Sequence, residues 1–300
     1  MSALVSGQLT PNKNWRKLSY RLKFLGRSLV YPRSTLVLLN NLAQFPQSNE
    51  ILSAQPTLPV KLHRPYMSAN FSRSMALQSI CAHYNYINQR LPLQLQRGHL
   101  SKQVLPIANL EGKGEQIYRI TFNAISHLDK EGEATMMFVN AADQALAKVT
   151  FSFIDYQGQP TLFIGALQGS DGNIEHQAIQ DATKACHGLF PKRILMEALL
   201  LMAEKMEMKQ VFAVGNATHI YTSWRYKKRK NMMFADYDSF WETLGGEQTE
   251  QGYFRLPLRI THKPLESIAS KKRAEYRRRY QLLDNMETEI RNKFTSGATL

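Results

Sequence analysis

Between residues 160 and 215 two apolar runs flank a long helical pattern, and few folds satisfy that order. Residues 161–166 (TLFIGA) are bounded by Pro160 and Gly169, as suits a short strand buried on both faces. Over 193–206, Ile194, Leu195, Ala198, Leu199, Leu201 and Met202 recur at helical spacing, with Glu197, Glu204 and Lys205 on the other face. Residues 211–214 (VFAV) supply a second apolar strand. A crossover of this length predicts a parallel pair. The polar residues Gln168, Asp171, His187, Lys192 and Arg193 fall where the first strand ends and the helix begins. In open α/β sheets that rim is where ligands bind.

Three hundred residues suit one large domain or two smaller ones. The first fifteen residues lack the charged-then-apolar layout of a secretory signal, so the expected location is the cytoplasm. Cys81 and Cys186 lie far apart, without metal or redox spacing; both are expected reduced, and no metal site is expected. The net charge of +14 favours anionic partners: a phosphate-bearing ligand, nucleic acid or an acidic membrane surface. The basic residues gather at 13–33, 225–230 and 271–279, and clustering of this kind points to use.

The first cluster lies on a predicted helix, 13–31, with Trp15, Leu18, Leu22, Leu25 and Leu29 on one face. Lys13, Arg16, Lys17, Arg21, Lys23 and Arg27 fill much of the remainder. Such a helix either lies on an anionic membrane or docks on its own domain with a solvated basic face. Ser34 caps a helix running to Ala43, the proline-bearing stretch 46–66 reads as an irregular connection, and 70–90 as a further helix. In that helix His83 reads as a packed or capping histidine rather than a catalyst.

Past Pro92 the period changes to that of strands at 101–110, 116–125, 134–140 and 146–154, joined by short turns into an antiparallel meander. In the last of these, Ala147, Val149, Phe151 and Phe153 alternate with Lys148, Thr150 and Ser152, which predicts one wetter face. Residues 236–244 read as a short helix, 253–260 as a closing strand pushed to an edge or bulge by Pro257, and 265–294 as a long basic helix. The expected fold class is mixed α/β: a helical N-terminal region (1–95), an α/β core (96–264) and a basic C-terminal helix (265–300).

For chemistry, Gly188 and the free N–H groups opening the 193–206 helix could receive a phosphate, with Lys192 and Arg193 adding charge. Pro191 suits a first helical turn with or without a ligand. His187 is the first candidate general base, followed by His219 and Asp171, although with no second catalytic partner fixed by the sequence a structural His187 is the more expected; Gln168 either orients a substrate carbonyl or ends a strand. Adjacency of Cys186 and His187 does not make a nucleophile and base. The basic run at 225–230, with Trp224, Tyr226 and Phe234, suits nucleic acid, anionic lipid or a solvated loop. No standard nucleic-acid module is present, which disfavours the first.

His83 with Tyr84, GALQG at 165–169, HGLFPK at 187–192, DYDSFW at 236–241 and the terminal KKRAEYRRRYQLLD run together resemble the VirK/YbjX family, over about residues 36–284. That resemblance implies a Gram-negative bacterial protein linked to virulence, the cell envelope and antimicrobial-peptide resistance. The order of strand meander, central strand, helix, strand, asparagine-bearing loop, short helix and last strand is similar to the GNAT acyltransferases. On that similarity Asn216 takes the place of the loop asparagine. The six-residue pyrophosphate loop of that fold is absent, an extended insert occupies 169–188, and Trp241 stands where these enzymes often carry a tyrosine.

The leading expectation is therefore an acyltransferase using acyl-CoA or acyl-carrier protein, with Gln168, Asp171 and His187 as catalytic residues and Gly188, Lys192, Arg193 and Asn216 binding the donor. It is expected at the inner face of the envelope, peripherally on the membrane. The alternative is a non-catalytic basic protein that binds anionic membrane or a protein partner.

Overall fold

The computed structural model describes residues 1–101, 103–172, 174–226 and 236–295. In chain order the strands are β1 (Pro106–Glu111), β2 (Ile117–Asn123), β3 (Ala134–Val139), β4 (Ala145–Tyr156), β5 (Gln159–Gln168), β6 (Gln210–Val214), β7 (Glu247–Gln248) and β8 (Tyr253–Leu256). Among the described residues they form one sheet in chain order, except that β8 lies between β6 and β7. Neighbours are antiparallel save β5 and β6, which run parallel from Thr161↔Gln210 to Ile164↔Ala213. The fold is mixed α/β, as its apolar runs predict.

The helices are α1 (Ser2–Ser6), α2 (Leu18–Val30), α3 (Pro32–Ala43), α4 (Ser48–Ala54), α5 (Arg73–Arg90), α6 (Leu93–Leu100), α7 (His176–Ala185), α8 (Pro191–Lys205), α9 (Tyr237–Thr243) and α10 (Ser270–Thr295). The pleat sends alternate residues of β5 and β6 into two cores. Leu162, Ile164, Val211 and Ala213 meet α8 and α10, whereas Phe163, Phe212 and Val214 meet side chains of α3, α4 and α5. Both faces are covered there, which is why these strands read as unbroken apolar runs.

Covering the sheet twice changes how several stretches behave. Lys148, Thr150 and Ser152 are buried rather than wet. Each has a partner: Lys148 reaches Asp171, Thr150 meets Thr135, and Ser152 bonds the Tyr66 hydroxyl and the Glu133 N–H. Beside them Lys61 and Glu133, both fully buried, pair at 2.5 Å, and Tyr84 donates to the same carboxylate at 2.8 Å. Helix α8 is buried on nearly every side because α10 packs on it. Its Glu197 and Glu204 are neutralised by Arg193 and by Arg259 with Arg291.

Other boundaries shift for local reasons. The insert at 169–188 contains α7, and the irregular stretch after Pro46 contains α4 and a short 3-10 turn, Leu58–His63. Strand β8 stops at Leu256, before Pro257, whose ring nitrogen has no hydrogen for a ladder. Helix α2 begins at Leu18, five residues later than expected, and it is turned over. Phe24 and Ser28 face inward, while Leu18, Leu22 and Leu29 are 60%, 55% and 68% exposed. Trp15 is buried, its indole donating to the Pro56 carbonyl at 2.7 Å and packing edge-on against Phe24.

Candidate functional site

Pairing between β5 and β6 stops at Ile164 and Ala213, while β5 runs on to Gln168. The β4–β5 register also slips here, between Thr150↔Ala166 and Phe151↔Ile164, leaving Gly165 as the extra residue of a bulge. A Cβ at Gly165 would coincide with the Glu131 carbonyl, so glycine admits the β2–β3 loop against the strand. That close approach sets Glu131, fully buried, at the rim.

Four side chains converge there. Gln168 donates its amide to Glu131 Oε2 at 3.1 Å. His219, on the loop after β6, holds Nε2 3.9 Å from Glu131 Oε1 and stacks on Tyr237 at 5.2 Å between ring centres. The Tyr237 hydroxyl accepts the Leu167 N–H at 3.4 Å. His219 Nδ1 accepts the Tyr221 N–H at 3.3 Å, so the neutral ring carries its proton on Nε2, toward the carboxylate. Burial first, and Lys130 second, pull the His219 pKa down to about 4; burial also raises that of Tyr237. At neutral pH both rings are uncharged beside a carboxylic side chain.

Immediately beyond Gln168, Gly169 opens onto a cavity of about 580 Å³. Its apolar wall is Leu146, Ile179, Phe190, Pro191, Phe240 and Leu244. Lys192 and Arg193, from the first turn of α8, supply its charge. Pro191 has no N–H and the Phe190 carbonyl takes the Arg193 and Ile194 N–H groups, so the positive potential here comes from the helix dipole more than from free donors. Burial depresses the Lys192 pKa, and the ammonium sits 5.9 Å from the centre of the Phe240 ring. A cation at a helix start opposes the dipole unless an anion joins it.

A second cavity, about 310 Å³, abuts the first across Phe190, Arg193 and Thr243. It lies between α8 and α10 and is more polar, with Lys263 and Arg279 beside the Arg193–Glu197 ion pair. Phe190, 64% exposed, stands on the divide.

The residues singled out from sequence divide between these places. Gln168 joins the rim cluster, Lys192 and Arg193 line the larger cavity, and Gly188, at φ +81°, lines the smaller. Asp171 is exposed and paired with Lys148 at 2.5 Å. His187 ends α7 at φ +55°, its carbonyl bonded by Arg279 at 3.0 and 2.8 Å. Its pKa is lowered by burial, then by Arg278, and it lines neither cavity. Asn216 is spent on α9: its side chain accepts the Tyr237 N–H and donates to Asp236. Cys186 is buried and its thiol pushed up to about 12, which rules it out as a ready nucleophile. Lys227 to Lys230 and Phe234, from the basic aromatic run, lie outside the described residues.

Sequence reasoning passed over Glu131 and Tyr237. The available signal was the acidic turn Asp129, Glu131 and Glu133, all three now buried. Asp129 answers Arg64, Glu133 answers Lys61, and Glu131 faces the rim.

A twofold-covered mixed sheet, with a cavity at the C-terminal end of one strand of its parallel pair, defines a mixed α/β protein with an opening at its strand ends. The chain matches, over residues 13–292, a family described as "Protein of unknown function (DUF535)", and it belongs to that family. It is 44% identical over 292 residues to the uncharacterized protein YbjX of Escherichia coli K12, covering 97% of this chain and 88% of that one. The resemblance to YbjX proteins is therefore a family relationship. An uncharacterized protein of Haemophilus influenzae is 26% identical over 276 residues, 92% of this chain and 90% of its own length. A second from that organism is 22% identical over 289 residues, 96% and 91% of the two chains. Among the described residues no helix is long and apolar enough to cross a membrane.

Proposed function

We propose that this chain binds an acyl group carried on a phosphate-bearing arm, as in acyl-CoA or acyl-carrier protein, and transfers it in the manner of a GNAT-like acyltransferase. The observation that carries the proposal is the pair of adjoining cavities at the start of α8, one with a largely apolar wall and one polar, meeting at Phe190 and Arg193. An acyl chain suits the first; phosphates suit Lys192, Arg193 and the positive end of the helix dipole. The strand meander and the parallel pair flanking α8 support the GNAT-like reading of the core.

Acyl transfer requires the acceptor to lose a proton and the departing thiolate to gain one. In this mechanism Glu131 with neutral His219 takes the first, and the Tyr237 hydroxyl, kept protonated by burial, gives the second. Gln168 holds the Glu131 carboxylate in place. The general base is placed at the rim rather than at His187 because Glu131, Gln168 and His219 meet at the end of β5, next to Gly169 in the wall of the larger cavity. An acceptor in the cell envelope would join this chemistry to the envelope and peptide-resistance association that the family resemblance implies.

Calorimetric titration with acetyl-, short-chain and long-chain acyl-CoA and acyl-carrier protein tests the proposal. Affinity should rise about fourfold for each methylene the apolar cavity accepts, from about 0.8 kcal/mol per buried CH₂, until the cavity is full. Silence with every donor would remove the acyltransferase and leave only a fold.

A further inference from the structure

We infer that the outward face of α2 and the first turns of α3 form a docking surface for an anionic lipid bilayer. The first observation is an amphipathic helix facing the wrong way for a core. Leu18, Leu22 and Leu29 share one face by steps of four and seven and are more than half exposed. Val30, Leu36 and Val37, at the end of α2 and the start of α3, are likewise 64%, 47% and 52% exposed. The opposite side of α2 is pinned by a small core of its own, Leu4, Trp15 and Phe24, so the leucines are presented on a fixed support.

The second observation is charge. No aspartate or glutamate occurs before Glu50, whereas Lys13, Arg16, Lys17, Lys23 and Arg33 all lie exposed around the leucines. Lys17 and Lys23 adjoin Leu18 and Leu22, and Arg33 stands between Val30 and Leu36. Aliphatic side chains ringed by cations match a bilayer interface, with apolar groups at the acyl boundary and ammonium and guanidinium groups among anionic headgroups. A second copy of the chain fits poorly, since it would set two acid-free basic faces against each other. Lipid also conforms to a convex helix, whereas a protein partner needs a matching groove lined with acids.

Flotation of the full chain with vesicles tests the surface, using phosphatidylcholine alone and an equal mixture with phosphatidylglycerol. Binding is expected to the mixture at low salt and to weaken as salt screens the headgroups. Lys13→Gln, Arg16→Gln and Lys17→Gln together should weaken it by about fivefold per charge. Leu18→Ser with Leu22→Ser and Leu29→Ser should weaken it at least tenfold while leaving thermal melting in place, because those side chains are exposed. Three results would overturn the inference: no flotation at low salt, flotation indifferent to the leucine variant, or a dimer in solution that the leucine variant dissolves. His187→Ala and Lys192→Glu, distant in sequence, should leave flotation unchanged, so this outcome stands apart from that for the acyl donor.

Discussion

The backbone carbonyl of Glu131 occupies the space that any side chain on residue 165 would need. Through that one approach the β2–β3 loop delivers a buried carboxylate to the end of β5, where Gln168 and His219 meet it. Gly165→Ala should therefore cost about 3 kcal/mol or more, since a fixed backbone atom must move. Urea unfolding measures this, with Gly172→Ala, which meets nothing within 4 Å, as a near-neutral control.

Gly26 makes the opposite case. It lies in α2 with open space where a Cβ would go. Gly26→Ala should stabilise the protein by about 0.5–1 kcal/mol through helix propensity. The checking measurement is a shift of the thermal melt to higher temperature.

Removing one member of the buried Lys61–Glu133 pair strands the other. Lys61→Met should destabilise by about 3–5 kcal/mol, because the Glu133 carboxylate keeps neutral hydroxyl partners such as Tyr84 but loses its cation. Lys61→Met combined with Glu133→Gln should recover much of the loss. A double-mutant cycle in denaturant decides it; additive losses would show that the two residues act separately.

Acid should loosen the protein before its carboxylates titrate. Burial holds His99 near a pKa of about 3 and His219 near about 4, both below the ordinary 6.5. The folded state therefore resists protons that the unfolded chain takes up below pH 6.5. Stability is full above 6.5 and falls progressively toward pH 4 and 3, by on the order of a few kcal/mol. Asp129, held below its usual range despite burial by Lys61 and Arg64, adds a further loss only below about pH 4. His99→Leu should flatten the upper part of this fall, because neither ring nitrogen has a hydrogen-bond partner to lose. Denaturant midpoints measured between pH 4 and pH 8 give the comparison.

The parallel pair was legible because strands buried on both faces must be apolar throughout, as Leu162, Phe163 and Ile164 are. What periodicity cannot carry is which face receives cover. Thr150 and Ser152 alternate as though wet, yet a second layer of helices seals them and supplies their partners. Leu18 and Leu22 share an apolar stripe with Trp15 in the sequence, yet Trp15 and Phe24 take the inward positions and the leucines stay exposed. The same limit governs the site. His187 stood beside a helix start in sequence, but Arg279, ninety-two residues on, claims its carbonyl. Glu131 and His219, eighty-eight residues apart, meet only through the bulge at Gly165.

The central claim is that the start of α8 holds an acyl donor, and photo-crosslinking with a long-chain acyl-CoA bearing a diazirine in its tail tests it most directly. Adducts are predicted on Ile179, Phe190 and Phe240, in the cavity wall, retained in His187→Ala and lost in Lys192→Glu. Adducts confined to the leucines of α2, or unchanged by Lys192→Glu, would contradict the account.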